Sequence, residues 1–245
     1  MKKIDTKKRS RGDAGFSLME LVIALGLTVL VMGVSTALLA SAVRVRARED
    51  RRSDAIADAR RALNTMTREI ASAGYELPST IAGNGIVAAD SDTTSIRVIS
   101  NSDRFSTAAG STPDEPASQD EDVVYRWISD PANNQSYIVR YDVNSALSGT
   151  TVLANRIDSF IIRYYDQRVT YQAGTCQQGI NTATVRNAGG VLQAEVAPSL
   201  ATYVVVAVCV DLPQVGTPGS PGFQPASQTQ IISDVQLRNA AATSY

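Results

Sequence analysis

The sequence predicts an α+β protein. A long N-terminal α-helix, membrane-spanning in its first half, packs by its second half on a C-terminal antiparallel β-sheet domain. Three observations predict this. Leu21 to Val43 is a run of 23 residues without a charge. Ile56, Ala59, Leu63, Met66, Ile70 and Ala73 recur at 3-4-3-4 spacing, which lines them up on one helix face. Beyond Gly74 the apolar residues fall in short Val-, Ile- and Tyr-rich segments of period two, the pattern of strands.

Charge divides the 245 residues in the same way. Residues 1–15 carry six basic side chains against two acids, and every lysine lies in the first eight positions. Residues 16–43 hold one charge, Glu20, and residues 44–73 hold eight arginines and five acids. The remainder, 74–245, has nine arginines against sixteen acids. A basic head, an apolar neck and an acidic body describe a membrane-anchored chain.

As a helix, the uncharged run is about 34 Å long, enough to cross a hydrocarbon core. Ala40-Ser41-Ala42 would also suit a signal-peptide cleavage site, but signal cores run to only about 7–15 apolar residues, so the spanning reading is preferred. Six Lys/Arg precede the run and Arg44, Arg46, Arg48, Arg51 and Arg52 follow it. Charge alone therefore does not fix the orientation. These arginines suit lipid phosphates, and equally suit solvated pairs with Glu49, Asp50 and Asp54. Glu20 is a costly residue for such a segment, by about 2.5–3.5 kcal/mol, and marks function.

The helix is expected from about Phe16 to Ala73, with Gly74 as its stop; the chain has no proline before Pro78. Asp54, Asp58, Arg61, Thr65, Arg68 and Ser72 form its polar face. Expected strands are 95–100, 122–128, 136–143, 156–166, 202–211 and 229–238, antiparallel because no helical pattern separates them. Residues 101–121 and 212–228 read as exposed or mobile loops.

Composition excludes several functions. Without histidine there is no Ser-His-Asp or Cys-His catalysis and no imidazole ligand. No G-x-S-x-G, P-loop or G-x-G-x-x-G occurs, and beyond the leader there is no lysine. An enzyme is not expected. The acids Asp114, Glu115, Asp120, Glu121 and Asp122, and the pair Asp90 and Asp92, lack the spacing of a calcium loop and read as solvated loop charge. No metal or other cofactor is expected. Nucleic acid is not expected as a partner of so acidic a body.

The junction Arg11-Gly12-Asp13-Ala14-Gly15-Phe16-Ser17-Leu18-Met19-Glu20-Leu21-Val22-Ile23-Ala24-Leu25 resembles the prepilin leader of type IV pilins and type II secretion pseudopilins. The resemblance implies a pilin-like fold, with 1–15 as a cleaved leader, 16–43 as the transmembrane and assembly half of the helix, 44–74 as its amphipathic half and 75–245 as the periplasmic domain. It implies cleavage by prepilin peptidase between Gly15 and Phe16 and methylation of the new Phe16 amine. It also implies that Glu20 meets the Phe16 amine of a neighbouring subunit; the simpler alternative is a glutamate snorkelling to the membrane surface.

Residues 67–75, Thr-Arg-Glu-Ile-Ala-Ser-Ala-Gly-Tyr, look like the helix end of PilW-type minor pilins. Asp92–Ile99, Ile157–Tyr165 and Ser233–Asn239 resemble strands of that family more loosely. Many major pilins kink the membrane helix with proline, which is missing here; that departure, and the 230 residues left after cleavage, point to a minor subunit. The implied function is priming of pilus assembly at the tip, from a single-pass inner-membrane form. The implied partners are prepilin peptidase, other minor and major pilins and inner-membrane lipid, with no small-molecule substrate. A J-like minor pseudopilin of a type II secretion system, or a tip adhesin, remains an alternative. In an oxidising periplasm Cys176 and Cys209 are expected to form a disulfide, worth about 3.7 kcal/mol by loop entropy. The alternative is two thiols, with Cys209 filling the core.

Overall fold

The computed structural model describes residues 16–78, 81, 83–102, 116–133, 135–145, 149–212, 214–220 and 223–239. It is an α+β protein with one long apolar N-terminal helix and a C-terminal antiparallel β region. Helix α1 runs Leu18–Ser72, about 82 Å. It starts at Leu18 because the Ser17 hydroxyl caps it, accepting from Met19 N at 3.3 Å. It ends because Ala73 is extended and Gly74 sits at φ +77°. At Gly74 a Cβ would come within 3.0 Å of the Asn84 carbonyl oxygen, so both space and backbone require glycine.

Among the described residues nine strands follow: β1 (Ser95–Ile99), β2 (Asp122–Asp130), β3 (Gln135–Asp142), β4 (Thr150–Asn155), β5 (Ile157–Tyr165), β6 (Thr170–Ala173), β7 (Ile180–Arg186), β8 (Tyr203–Leu212) and β9 (Ser227–Gln236). They form a four-stranded sheet β1-β2-β3-β4, a three-stranded sheet β5-β8-β9 and the hairpin β6-β7. Every pairing is antiparallel. The chain steps from the first sheet into the second through one residue, Arg156, at φ +61°.

Five of the six stripe positions (Ala59, Leu63, Met66, Ile70, Ala73) are buried, while Ile56 is half-exposed and Ala55 takes its place. These residues pack with Ile96, Tyr125 and Ile138 of the first sheet and Phe160, Ile162, Val204, Val206 and Val208 of the second. The helix and β9 run side by side. Arg48 reaches Ser227 at one end, and the Ala71 carbonyl accepts from Arg238 N at the other, 3.2 Å away. The spans agree: 23 helical steps and 11 extended ones both cover about 35 Å.

Three strands, β4, β6 and β7, lie outside the expected set. Their sequences are rich in Thr, Asn and Gln, and their side chains are largely exposed, so alternation of apolar residues does not mark them. The β6–β7 hairpin explains β8. Val204, Val206, Val208 and Val210 face the helix core, whereas Tyr203 and Val205 join Tyr165, Val169, Ile180 and Val185 in a second core under the hairpin. Buried on both faces, β8 reads as one apolar run.

The described residues of the two expected loops make specific contacts. Asn101 and Glu121 are buried. Glu121 clasps both ends of the first loop, accepting from Ser102 N at 2.7 Å and Ser118 N at 3.0 Å; residues 103–115 lie outside the described residues. In the second loop, Ser227 and Gln228 already belong to β9, and Val215 and Gln224 exchange two backbone hydrogen bonds at 2.9 and 3.0 Å.

Candidate functional site: the projecting helix

The first half of α1 leaves the body. From Phe16 to Asp54 every residue is exposed except the half-buried Ser41 and Arg48. By length and composition this half can cross a membrane, and none of its most apolar window is buried. Its threonine hydroxyls are accounted for internally. Thr28 Oγ1 donates to the Ala24 carbonyl at 2.7 Å and Thr36 Oγ1 to the Met32 carbonyl at 3.0 Å, so neither hydroxyl needs an outside partner.

Glu20 is different. It lies in the first turn of α1, its backbone N–H donates to the Ser17 carbonyl at 3.0 Å, and its carboxylate takes no partner among the described residues. Phe16, 81% exposed, stands about one turn below it. Gly15, the other residue of the expected cleavage site, lies outside the described residues. Among the described residues nothing lies within 4 Å of where a Cβ would stand on Gly26 or Gly33.

Where α1 meets the body, its arginines separate into two groups. Arg48 donates to Gln224 Oε1 at 3.1 Å, to Ser227 Oγ at 3.2 Å and to the Pro225 carbonyl. Arg52 reaches Thr229 Oγ1 at 3.5 Å and Glu49 at 4.0 Å. Arg44, Arg46 and Arg51 are exposed and take no partner among the described residues. Only Arg52 of this group shows the expected pairing with a nearby acid.

At its other end α1 is keyed to the first sheet by charge. Glu69 accepts from Tyr125 Oη at 2.5 Å and from Arg140 Nε at 3.1 Å, and Arg140 Nη2 reaches Asp120 at 2.5 Å. Burial, with the Glu69 carboxylate beside it, pushes the Tyr125 phenol well above its ordinary range, so it stays a donor. The segment 67–75 thereby acquires physical meaning: Glu69 makes the key, Ile70, Ala71 and Ala73 fill core, and Gly74 ends the helix.

Of the acids read as solvated loop charge, Asp92 and Asp120 are exposed, whereas Glu121 and Asp122 are a correction. Glu121 is 1% exposed and Asp122 7%. Asp122 binds Arg97 through two bonds of 2.8 and 2.6 Å, and Asp90 takes the same guanidinium at 2.6 Å. Asp92 accepts from Thr94 N at 2.6 Å and Ser95 N at 2.7 Å. Burial raises its pKa, but these hydrogen bonds outweigh that and hold it below the ordinary carboxylate range. Asp114 and Glu115 lie outside the described residues. Among the described residues no three Cys, Asp or Glu side chains are grouped to hold a metal ion.

Cys176 and Cys209 are joined as a disulfide with Cα atoms 5.5 Å apart. It ties the loop between β6 and β7 to β8, helped by Ser159 Oγ donating to the Cys176 carbonyl and Gln230 Nε2 to the Gly179 carbonyl at 2.6 Å. An open cleft of about 890 Å³ lies at the end of the body nearer the projecting helix, lined by Trp127, Asp130, Arg156, Asp158 and Asp211. Desolvation, and then the charge of Asp158, raise the Asp211 pKa.

Sequence reasoning missed the Arg48 clasp and the Glu69–Tyr125–Arg140 key. Both join residues far apart in the chain, and only the position of Arg48 just past the span hinted at a role.

No family model matches the chain, and no curated protein or solved structure matches it.

Proposed function

We propose that this chain is a minor type IV pilin of the PilW type. Prepilin peptidase cuts it between Gly15 and Phe16, and the Phe16 amine is methylated. The helix holds it in the inner membrane with the body in the periplasm, and it then enters a pilus with other minor and major pilins, priming assembly at the tip.

The observation that carries this reading is Glu20, a carboxylate without a partner among the described residues in the first turn of an otherwise exposed apolar helix. An uncompensated carboxylate at that depth is costly. A neighbouring subunit's Phe16 amine would be an equally costly cation, and pairing the two removes both penalties and sets a stagger of about one helical turn. The Cys176–Cys209 disulfide agrees with a body on the oxidising side.

Deletion and a Glu20→Ala variant in the native host test the reading. A priming subunit is needed for pili to appear, and Glu20→Ala reproduces the deletion while the protein remains in the membrane. Normal pili with failed export of folded enzymes would assign the chain to a type II secretion system instead. Pili that form but do not attach would make it an adhesin.

A further inference from the structure

Arg48 of α1 and the strap between β8 and β9 sit at one depth. Arg48 is five positions past Val43, about 7.5 Å along the helix. A headgroup layer is about 5–8 Å thick on each side of a hydrocarbon core. With Val43 at the core boundary, Arg48 therefore lies at the outer edge of the headgroups. It holds the strap there through Gln224, Pro225 and Ser227. β8 enters the strap and β9 leaves it at the end of the body from which the apolar helix projects, so the strap lies at the end of the body that faces the span.

Its chemistry suits that depth. From Leu212 to Ser233 there is no charged residue. The described part is a closed turn: Val215 and Gln224 are bridged, Ser220 N donates to the Thr217 carbonyl at 3.0 Å, and Phe223 N to the Ser220 carbonyl at 3.0 Å. The backbone N–H groups of Val215, Ser220, Phe223 and Gln224 are thus paired before contact, which lowers the cost of their leaving water. Below the strap the first turn past the span carries Arg44 and Arg46 and no acid; Glu49 is the first acid after Glu20. The acidic cleft opens at the same end, but no residue of α1 lines it. Asp130 is bonded to Ala132 N and Asn133, and Asp158 to Gln228.

We propose that the strap and the arginine turn form a membrane-seated foot. The uncharged strap rests on the headgroup layer of the bilayer that the same helix crosses, with Arg44 and Arg46 on lipid phosphates. The body is then held upright against the membrane before assembly. The inference rests on residues 21–43 spanning the bilayer.

The test uses the full chain in vesicles of phosphatidylcholine and phosphatidylglycerol that carry a nitroxide on the lipid headgroup. A fluorophore is placed at Thr217→Cys in the strap or at Val191→Cys on the loop after β7, at the far end of the body; the native cysteines are bonded and do not react. The foot predicts stronger quenching at 217 than at 191. It also predicts that Ala226→Glu, which places a like charge in the uncharged strap, lowers the quenching at 217 while the chain still floats; unchanged quenching would overturn the foot. Equal quenching at both positions in chains that float with the vesicles would overturn the foot and leave the span intact. Chains that fail to float would remove both.

Discussion

Tyr125 Oη lies 2.5 Å from Glu69 Oε2, joining the centre of β2 to the last turns of α1. Tyr125 has no exposed surface, and Arg140 approaches the same carboxylate from β3. Apolar packing alone would let a smooth helix slide or rotate on a sheet. A half-buried carboxylate with two donors favours one register, because any other leaves charge unpaired.

Tyr125→Phe removes a hydrogen bond to a charged acceptor and is expected to destabilise the body by about 1.5–3 kcal/mol. Chemical denaturation of the full chain in detergent measures it. Combined with Glu69→Gln, the loss should be less than the sum of the single losses, since both act on one bond.

Cys176→Ser with Cys209→Ser removes the tie between the β6–β7 loop and β8. The expected loss is about 3–4 kcal/mol from the 33-residue separation. Hydrogen exchange should show it first in residues 174–186, since Gly179 is the point where that loop packs on Ile161 and Ala207.

Alkaline pH is expected to unfold the body as its buried phenols ionise. Burial pushes Tyr165 and Tyr203 up to about 12, with Glu195 and Asp234 adding to the respective shifts; Tyr125, Tyr164 and Tyr171 are raised further. A phenol whose folded pKa exceeds its unfolded value stabilises fully below the unfolded value near 10 and loses that contribution as pH rises through the folded one. Melting temperature should therefore be flat from pH 7 to about 9 and fall steeply from about 10 to 12. Tyr203→Phe should flatten part of that fall.

Asp211 has the opposite consequence at neutral pH. Its folded pKa is raised by desolvation and by Asp158, so its charged form opposes folding above that pKa. Asp211→Asn should raise the melting temperature at pH 7 and have no such benefit near pH 3, where the wild-type carboxyl is protonated.

The long elements were legible in the sequence, and the reasons are physical. A stripe such as Ala59, Leu63, Met66 and Ile70 has one cause, a face against a core, and β8 has an apolar residue at nearly every position because both its faces are covered. β4, β6 and β7 were not legible, since their side chains meet water and only their backbones are paired. Glu121 and Asp122 misled for a related reason: loop composition reports polarity, and it does not report that Ser102 and Ser118 close on Glu121 or that Arg97 lies across the sheet to receive Asp122. Arg48 and its strap are 176 or more positions apart, a distance at which no local pattern operates. Glu20 was legible because a lone charge in an apolar run stands out without any partner in view.

The measurement that bears most directly on the proposed function is the N-terminal mass of the protein isolated from its native host. A chain beginning at N-methyl-Phe16 is the expected result and would establish processing at Gly15. A chain beginning at Val43, after Ala40-Ser41-Ala42, would mean ordinary secretion without the helix and would contradict the anchor, the Glu20 pairing and the filament role together.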